Sequence, residues 1–333
     1  MSEFSDFDDE EGVDEPVLSD NDQDEKEEEE EFEDNPLTQE TIRESLSLLC
    51  KVGNGLSHAY VRLDIHEREI TDISILTHFV HLRYVDISGN NIKDISPLNC
   101  LKEMLTLKAD KNQLKSAKMD ELPYLQHANF SDNKISDMEG IIHPLLEVLN
   151  LNGNEIAEVK GLDPPELSRL TTLELRSNKL TTTAGISLQS LKKIYLGQNA
   201  ITQIEDLARL EHLTILHLRQ NNISKLDGFS ENMKQLQYLN LRKNNITEFT
   251  ELHKLKCLPR LRALILRENP VCYEEGYRVE VLVILPRLER LDQDIYEDEE
   301  RQEAEEIYNQ RAEAENQGDG AVEVIQSEDE EES

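Results

Sequence analysis

The chain has 333 residues and a formal net charge of −35. Residues 1–36 hold 19 Asp/Glu and one Lys, and residues 293–333 hold 17 Asp/Glu and two Arg, so the acidity lies at the two ends and the segment between them is nearly neutral. This charge disfavours a nucleic acid partner, because the chain would repel phosphate, and the sequence offers neither a signal peptide nor an apolar run of membrane-spanning length.

The first segment, residues 1–36, is predicted to be a disordered acidic tail. Its run of five glutamates, 27–31, leaves too little apolar surface to bury. Asn35 and Pro36 then provide a helix cap and a first-turn proline.

Residues 37–58 are therefore predicted to form an N-terminal capping helix, with its amphipathic part over 37–52. Three apolar residues fall on one face of this helix at helical spacing: Ile42, Leu46 and Leu49. Such a cap covers the first core layer of a repeat array.

From residue 59 to 292 the chain is built on one eleven-residue phrase, L-x-x-L-x-L-x-x-N-x-[IL], which occurs nine times after one degenerate copy. The phrase asparagines, which we call the ladder asparagines, lie 21 to 25 residues apart. They are Asn90, Asn112, Asn133, Asn154, Asn178, Asn199, Asn221, Asn244 and Asn269. This phrase at this period is typical of leucine-rich repeats. The degenerate copy has Leu63, Ile65 and Ile70, with Arg68 in place of the asparagine.

Within each phrase the apolar residues alternate, which predicts a short strand with one buried face. After each asparagine the apolar spacing changes to three, as in Ile201, Ile204 and Leu207, which is typical of 3₁₀ turns. The sequence therefore predicts an α/β solenoid: a leucine-rich repeat horseshoe with parallel strands on the concave side and 3₁₀ or helical segments on the convex side, capped at both ends.

The array is predicted to end in a helix through Val281, Leu282 and Leu285. Residues 293–316 have the composition of an acidic, solvated helix that leaves the array, and residues 317–333 are predicted to be a second disordered acidic tail.

The outward positions of the last five strands carry the candidate binding residues. The seventh phrase positions there read Arg176, Gly197, Arg219, Arg242 and Arg267. Beside them lie Tyr195, His217 and Tyr238. Since neighbouring strands are about 4.8 Å apart, these side chains would form one basic and aromatic stripe, of the residue types that dominate protein–protein contacts. Acidic neighbours such as Glu174 and Glu268, or the chain's own acidic tail, could instead neutralise the arginines.

No catalytic motif is present, and we expect a non-enzymatic protein without cofactor or small-molecule substrate. His78 and His81 are close in sequence but have no third ligand nearby, so ordinary surface or packing roles are favoured over a metal site. The four cysteines share no paired spacing, which favours a reducing compartment and a cytoplasmic location.

Several segments have sequences that the repeat pattern alone does not require. They include residues 46–61, 81–88, 119–126, 161–164 and 261–266. Together they resemble a family of leucine-rich repeat proteins of the radial spoke head. The C-terminal cap is similar to that of a wider cytoplasmic family with a phosphatase-1 regulator and an axonemal dynein light chain. This resemblance implies a scaffold of the axoneme of motile cilia and sperm flagella, which binds other radial spoke or axonemal proteins.

Three functions remain open on the sequence. The first is an axonemal adaptor that grips an acidic or helical segment with its concave face. The second is a regulatory subunit that docks a phosphatase, and the third is an acidic-tailed chaperone of basic proteins such as histones. The third requires the tails, whereas the first requires the arginine row.

Overall fold

The computed structural model describes residues 32–53, 55–162 and 164–328. Most of the acidic tail predicted over 1–36 lies outside the described residues. Its last part does not behave as a disordered tail, because Asn35 already bonds to the array: its backbone N–H donates to Thr71 Oγ1 at 2.9 Å, and its side chain donates to the carbonyl oxygens of Arg68 and Glu69. Asn35 therefore closes the asparagine-free turn of the degenerate repeat and is not the predicted helix cap.

The predicted N-terminal helix is wrong in its second half. Helix α1 spans only Gln39–Ser45 and is capped by Thr38, whose side chain accepts from the Thr41 N–H at 3.2 Å. Strand β1, Leu46–Val52, follows and pairs antiparallel with strand β2, Ser57–Asp64. Leu49, which was assigned to the buried helix face, is 58% exposed. The physical reason is that β2 would otherwise present an open edge of the sheet, and the chain after α1 pairs with it.

Among the described residues, one sheet of 13 strands runs in sequence order. After β1 and β2 its strands are β3 Tyr84–Asp86, β4 Thr106–Lys108, β5 His127–Asn129, β6 Val148–Asn150, β7 Thr172–Glu174, β8 Lys193–Tyr195, β9 Ile215–His217, β10 Tyr238–Asn240, β11 Ala263–Ile265, β12 Arg290–Leu291 and β13 Asp294–Ile295. The strands from β2 to β12 are parallel, and the pairs at the two ends are antiparallel. The predicted leucine-rich repeat horseshoe is thereby confirmed.

The core lies on one side of this sheet. The strand-centre leucines such as Leu216, Leu239 and Leu264 are fully buried and lie in register with one another. Because side chains alternate across a strand, the residues on either side of each leucine face the concave surface.

The ladder asparagines hold consecutive turns together. Asn221 is representative: its Nδ2 donates to the carbonyl oxygens of Leu196, Leu218 and Arg219, and its Oδ1 accepts the Ile201 N–H at 3.0 Å. The residue before each ladder asparagine has a positive φ, between 53° and 64°, although only Gly89 and Gly153 among these nine are glycines. The left-handed turn has a conformational cost for the other seven, which the asparagine hydrogen bonds offset.

The convex side contains the predicted 3₁₀ turns in several repeats. They span Ser74–His78, Ser96–Cys100, Leu207–Arg209, His253–Cys257 and Pro270–Tyr273. A short helix α2, Phe249–Leu252, precedes one of them. The C-terminal cap helix α3, Tyr277–Ile284, buries Val281 and Leu282 as predicted.

The predicted acidic helix does not leave the array as a solvated extension. Helix α4, Asp298–Glu328, packs its first half against α3 and buries Ala304. Arg278 of α3 donates from Nε to Glu300 Oε1 at 2.7 Å, and Arg311 pairs with Glu280. These two salt bridges and the buried alanine give an acidic helix a docked face that its composition alone did not indicate.

The disordered tail predicted over 317–333 also needs correction. The backbone remains helical through Glu328, and residues 329–333 lie outside the described residues. A helix that is already nucleated and docked adds one hydrogen bond for each further residue, so it extends beyond the segment that packs.

Candidate protein-binding site

Five neighbouring strands, β7 to β11, bring the candidate binding residues onto one concave surface. In each phrase the third and fifth positions flank the buried leucine, and the seventh follows the strand. The parallel register sets Tyr195 beside His217, which lies beside Asn240. Residues 20 or more apart in sequence therefore become immediate neighbours, as the repeat spacing predicted.

Three aromatic rings form a row across β8, β9 and β10. The rings of Tyr195 and His217 are stacked with centroids 4.8 Å apart, and those of His217 and Tyr238 are 5.0 Å apart. The guanidinium of Arg176 lies over the Tyr195 ring, 4.7 Å from its centroid. This row, which we call the aromatic row, offers ring faces and edges rather than an enclosed pocket.

His217 is neutral at the centre of the aromatic row. Burial lowers its pKa to about 3, and the nearby positive charge of Arg176 acts in the same direction. The positive charge of this surface therefore comes from arginine and lysine at all physiological pH values.

The arginines form a second row beside the aromatic row, with different local partners. Arg242 donates from Nε to Glu268 Oε1 at 2.6 Å, and Arg267 donates to Gln293 Oε1 at 2.8 Å. Glu268 is thus one of the acidic neighbours that the sequence suggested. The other, Glu174, lies beside Tyr195 in the strand register, and its carboxylate accepts from the Asn152 side chain at 2.8 Å.

The gap in the arginine row has a steric cause. A Cβ added to Gly197 would lie 3.2 Å from the backbone carbonyl oxygen of Arg219. That separation is shorter than ordinary carbon–oxygen contact, so a side chain at this position would push the neighbouring turn away. The close packing of β8 against β9 thus accounts for the glycine in the arginine row.

Sequence reasoning missed an apolar part of the same surface. Ile215, Tyr238, Ala263 and Ile265 form a cluster separate from the main core, and each is between 2% and 7% exposed. They occupy the third and fifth positions of their phrases, on the face opposite the leucines. The apolar residues at outward phrase positions could have indicated this cluster from the sequence. They were overlooked because the arginines and aromatic rings of the same strands are more conspicuous.

The seven predicted site residues thus lie on one face of five consecutive strands. They are Arg176, Tyr195, His217, Arg219, Tyr238, Arg242 and Arg267. The surface combines stacked rings, buried aliphatic side chains and guanidinium groups, an arrangement that suits an acidic peptide with apolar side chains.

Other candidate chemistry finds no support among the described residues. In that part of the chain no three His, Cys, Asp or Glu side chains are grouped closely enough to hold a metal ion. His81 Nδ1 lies 3.2 Å from Glu103 Oε1, and His78 Nδ1 lies 3.2 Å from the Ile75 carbonyl oxygen. No described helix is long and apolar enough to cross a membrane.

Comparison with known proteins agrees with this architecture. A leucine-rich repeat family model matches residues 169–319. Leucine-rich repeat-containing protein 23 of Bos taurus is 53% identical over 272 residues, which cover 82% of this chain and 80% of the bovine protein. The chain belongs to the leucine-rich repeat-containing protein 23 family.

More distant similarities are informative in different ways. Human cilia- and flagella-associated protein 410 is 38% identical over 127 residues, which cover 38% of this chain and 49% of that protein. A leucine-rich repeat protein of Leptospira interrogans, whose structure is solved, superposes with a TM-score of 0.58 at 24% identity over 69% of this chain and 60% of its own. The second likeness shows the fold alone. None of these matches indicates a catalytic family.

Proposed function

We propose that this protein is a non-enzymatic scaffold of the ciliary and flagellar axoneme, specifically a component of the radial spoke head needed for motile cilia and sperm motility. Membership of the leucine-rich repeat-containing protein 23 family and the partial match to a cilia- and flagella-associated protein support a ciliary setting. The aromatic row with its flanking arginines supports protein binding through the concave face.

The observation that carries the proposal is the coincidence of apolar, aromatic and cationic groups on one rigid sheet. The strands are held by the ladder asparagines, so a partner would find the rings and guanidinium groups already in place. Binding to a preorganised surface costs little side-chain ordering. Acidic or helical segments of other spoke proteins are the partners that this chemistry favours.

The test is an affinity pull-down from ciliated-cell extract with the intact chain and with the double variant Arg219→Glu and Arg242→Glu. We expect spoke proteins to be retained by the intact chain and lost from the variant, because two attractions for an acidic partner become repulsions. A matched control is Arg169→Glu with Lys234→Glu, which makes the same charge change at exposed positions outside the concave strands.

Each result has a clear meaning. Spoke proteins that remain bound to the concave double variant would contradict the assigned face. Retention of a phosphatase or of histones in place of spoke proteins would contradict the axonemal function, and would favour a regulatory subunit or a chaperone of basic proteins. Thermal unfolding followed by circular dichroism establishes that both double variants are folded.

A further inference from the structure

The concave surface of β9 to β11 is already largely dry. Ile215, Tyr238, Ala263 and Ile265 project away from the leucine core, yet they are at most 7% exposed. Asn240 between them is 1% exposed. Other parts of the chain therefore already cover these side chains, and the accessible groups of this surface are Tyr195, His217 and the arginines beside them.

The charge around these side chains is net positive. Arg176, Arg219, Arg242 and Lys193 lie on or next to strands β7 to β10, whereas Glu174 lies beside Tyr195 in the register and Glu268 pairs with Arg242. His217 adds no charge, because burial lowers its pKa to about 3. An occupant that matches this surface is acidic, and it carries apolar or aromatic side chains for the rings of Tyr195 and His217.

Such a segment exists within the same chain. Residues 1–31 contain 17 Asp/Glu and a single Lys, so they are strongly negative. Apolar residues are interspersed among the acids, with two phenylalanines close to the start: Phe4 and Phe7. The composition of this segment complements the concave surface in both charge and apolar character.

The segment is also long enough to reach the surface. The described chain starts at the N-terminal end of the array, where Asn35 is bonded to Arg68 and Glu69 beside the end of β2. In sheet order β9 lies seven strands from β2, which is about 34 Å at the usual strand spacing. Thirty-one residues can span at most about 100 Å.

We propose that residues 1–31 dock on the concave surface of β7 to β9, with their carboxylates against Arg176 and Arg219 and a phenylalanine against the rings of Tyr195 and His217. The surface then has an intramolecular occupant, which an external partner must displace. Tethering places the segment at an effective concentration in the millimolar range, so even a weak contact is populated. This inference uses the same face as the proposed function and assigns its occupant in the absence of a partner.

The test is photo-crosslinking in the full chain. Phe7 is replaced by p-benzoylphenylalanine, the dilute protein is irradiated, and crosslinked peptides are identified by mass spectrometry. We expect crosslinks within one chain to peptides that contain Tyr195, His217 and Tyr238. The yield should be independent of protein concentration and should fall in about 1 M salt, where the Debye length is about 3 Å.

Two sets of variants sharpen the result. Arg176→Glu with Arg219→Glu should lower the yield about tenfold, because two attractions become repulsions, whereas Arg169→Glu with Lys234→Glu should leave it unchanged. A change in the segment itself, Asp6→Asn with Asp8→Asn and Asp9→Asn, should lower the yield, and it leaves every described residue of the array unchanged. Crosslinks scattered over the surface, found only between chains, or insensitive to these changes would overturn the proposal.

The two proposals fail in different ways. If the crosslinks are absent and the pull-down still loses its partners on Arg219→Glu with Arg242→Glu, the intramolecular occupant is wrong and the binding face stands. If the crosslinks are present and partners remain bound to that variant, the segment docks there and the partner-binding face lies elsewhere.

Discussion

The concave face of strands β2 to β4 carries Asp64, Asp86 and Asp110, whereas the concave face of β7 to β11 carries four arginines and three aromatic rings. The aspartates of the first region have partners within the array. Lys108 lies 3.1 Å from Asp86, and Asp110 accepts from the Asn129 side chain at 2.9 Å. Burial, together with the charge of Asp86, raises the pKa of Asp110.

The second region instead carries mostly arginines around an apolar centre, with Glu174 and Glu268 as its acidic residues. Both regions have the same strand register, buried leucines and asparagine hydrogen bonds. The repeat phrase therefore specifies the scaffold, while the outward positions vary independently of it and are free to carry a binding surface.

The largest expected effect is common to both regions, because it concerns the shared core. Leu107 and Leu239 are both fully buried at strand centres, and changing either to alanine should cost about 2–5 kcal/mol of unfolding free energy. Urea denaturation followed by circular dichroism measures this cost, with the exposed Lys234→Ala as a control. An unchanged midpoint for either leucine variant would mean that the two regions do not share one core.

Within the second region, two ladder asparagines provide a matched pair. Asn199 and Asn221 make equivalent bonds to three carbonyl oxygens and one backbone N–H, but only Asn221 is buried. We expect Asn221→Ala to cost about 3 kcal/mol and Asn199→Ala about half as much, because water can reach the groups left by the second. Urea denaturation measures the loss of unfolding free energy for both variants. Equal losses would show that burial does not determine how strongly these hydrogen bonds stabilise the fold.

A pH effect is expected from the convex side near the first region. His143 is fully buried, and its Nδ1 accepts the Leu122 N–H at 3.3 Å. Burial, aided by the charge of Lys102, lowers its pKa to about 4. The unfolded state therefore binds this proton first as the pH falls below about 6.5, and stability contributed by the neutral ring is lost between about pH 6.5 and pH 4.

The expected loss is about 1.4 kcal/mol for each pH unit in that window. Unfolding free energies at pH 7, 6 and 5 for the parent and for His143→Gln should show a shallower slope in the variant. Parallel slopes would assign the acid sensitivity to carboxylates instead.

The smallest expected effects are those of the surface ion pairs, one in each region. Double-mutant cycles on Lys108 with Asp86 and on Arg242 with Glu268 should each give a coupling below about 1 kcal/mol that falls with added salt. Weak coupling would leave Arg242 available to a partner at little cost in stability. A coupling well above this value at Arg242 would make it a structural residue and remove it from the binding surface.

The array was predictable because its signals are local and repeated. Three patterns recur often enough to identify the fold: the leucines, the asparagines and the apolar spacing of three. They also predict on which side of the sheet the site residues lie. The end caps were less predictable, since no repetition constrains them. Residues 46–52 satisfy both a helical and a strand pattern, and only the open edge of β2 decides in favour of the strand.

The solenoid, its register and the alignment of seven side chains on one face could be read from the amino-acid sequence, because a period of 21 to 25 residues specifies which positions become neighbours. The packing between distant elements set what no period encodes. It paired Arg242 with Glu268, turned Glu174 towards Asn152, folded α4 back onto α3 and gathered Ile215, Ala263 and Ile265 into a dry centre. These outcomes depend on side-chain geometry between elements distant in sequence, where several partners of similar chemistry compete and the packed structure selects one.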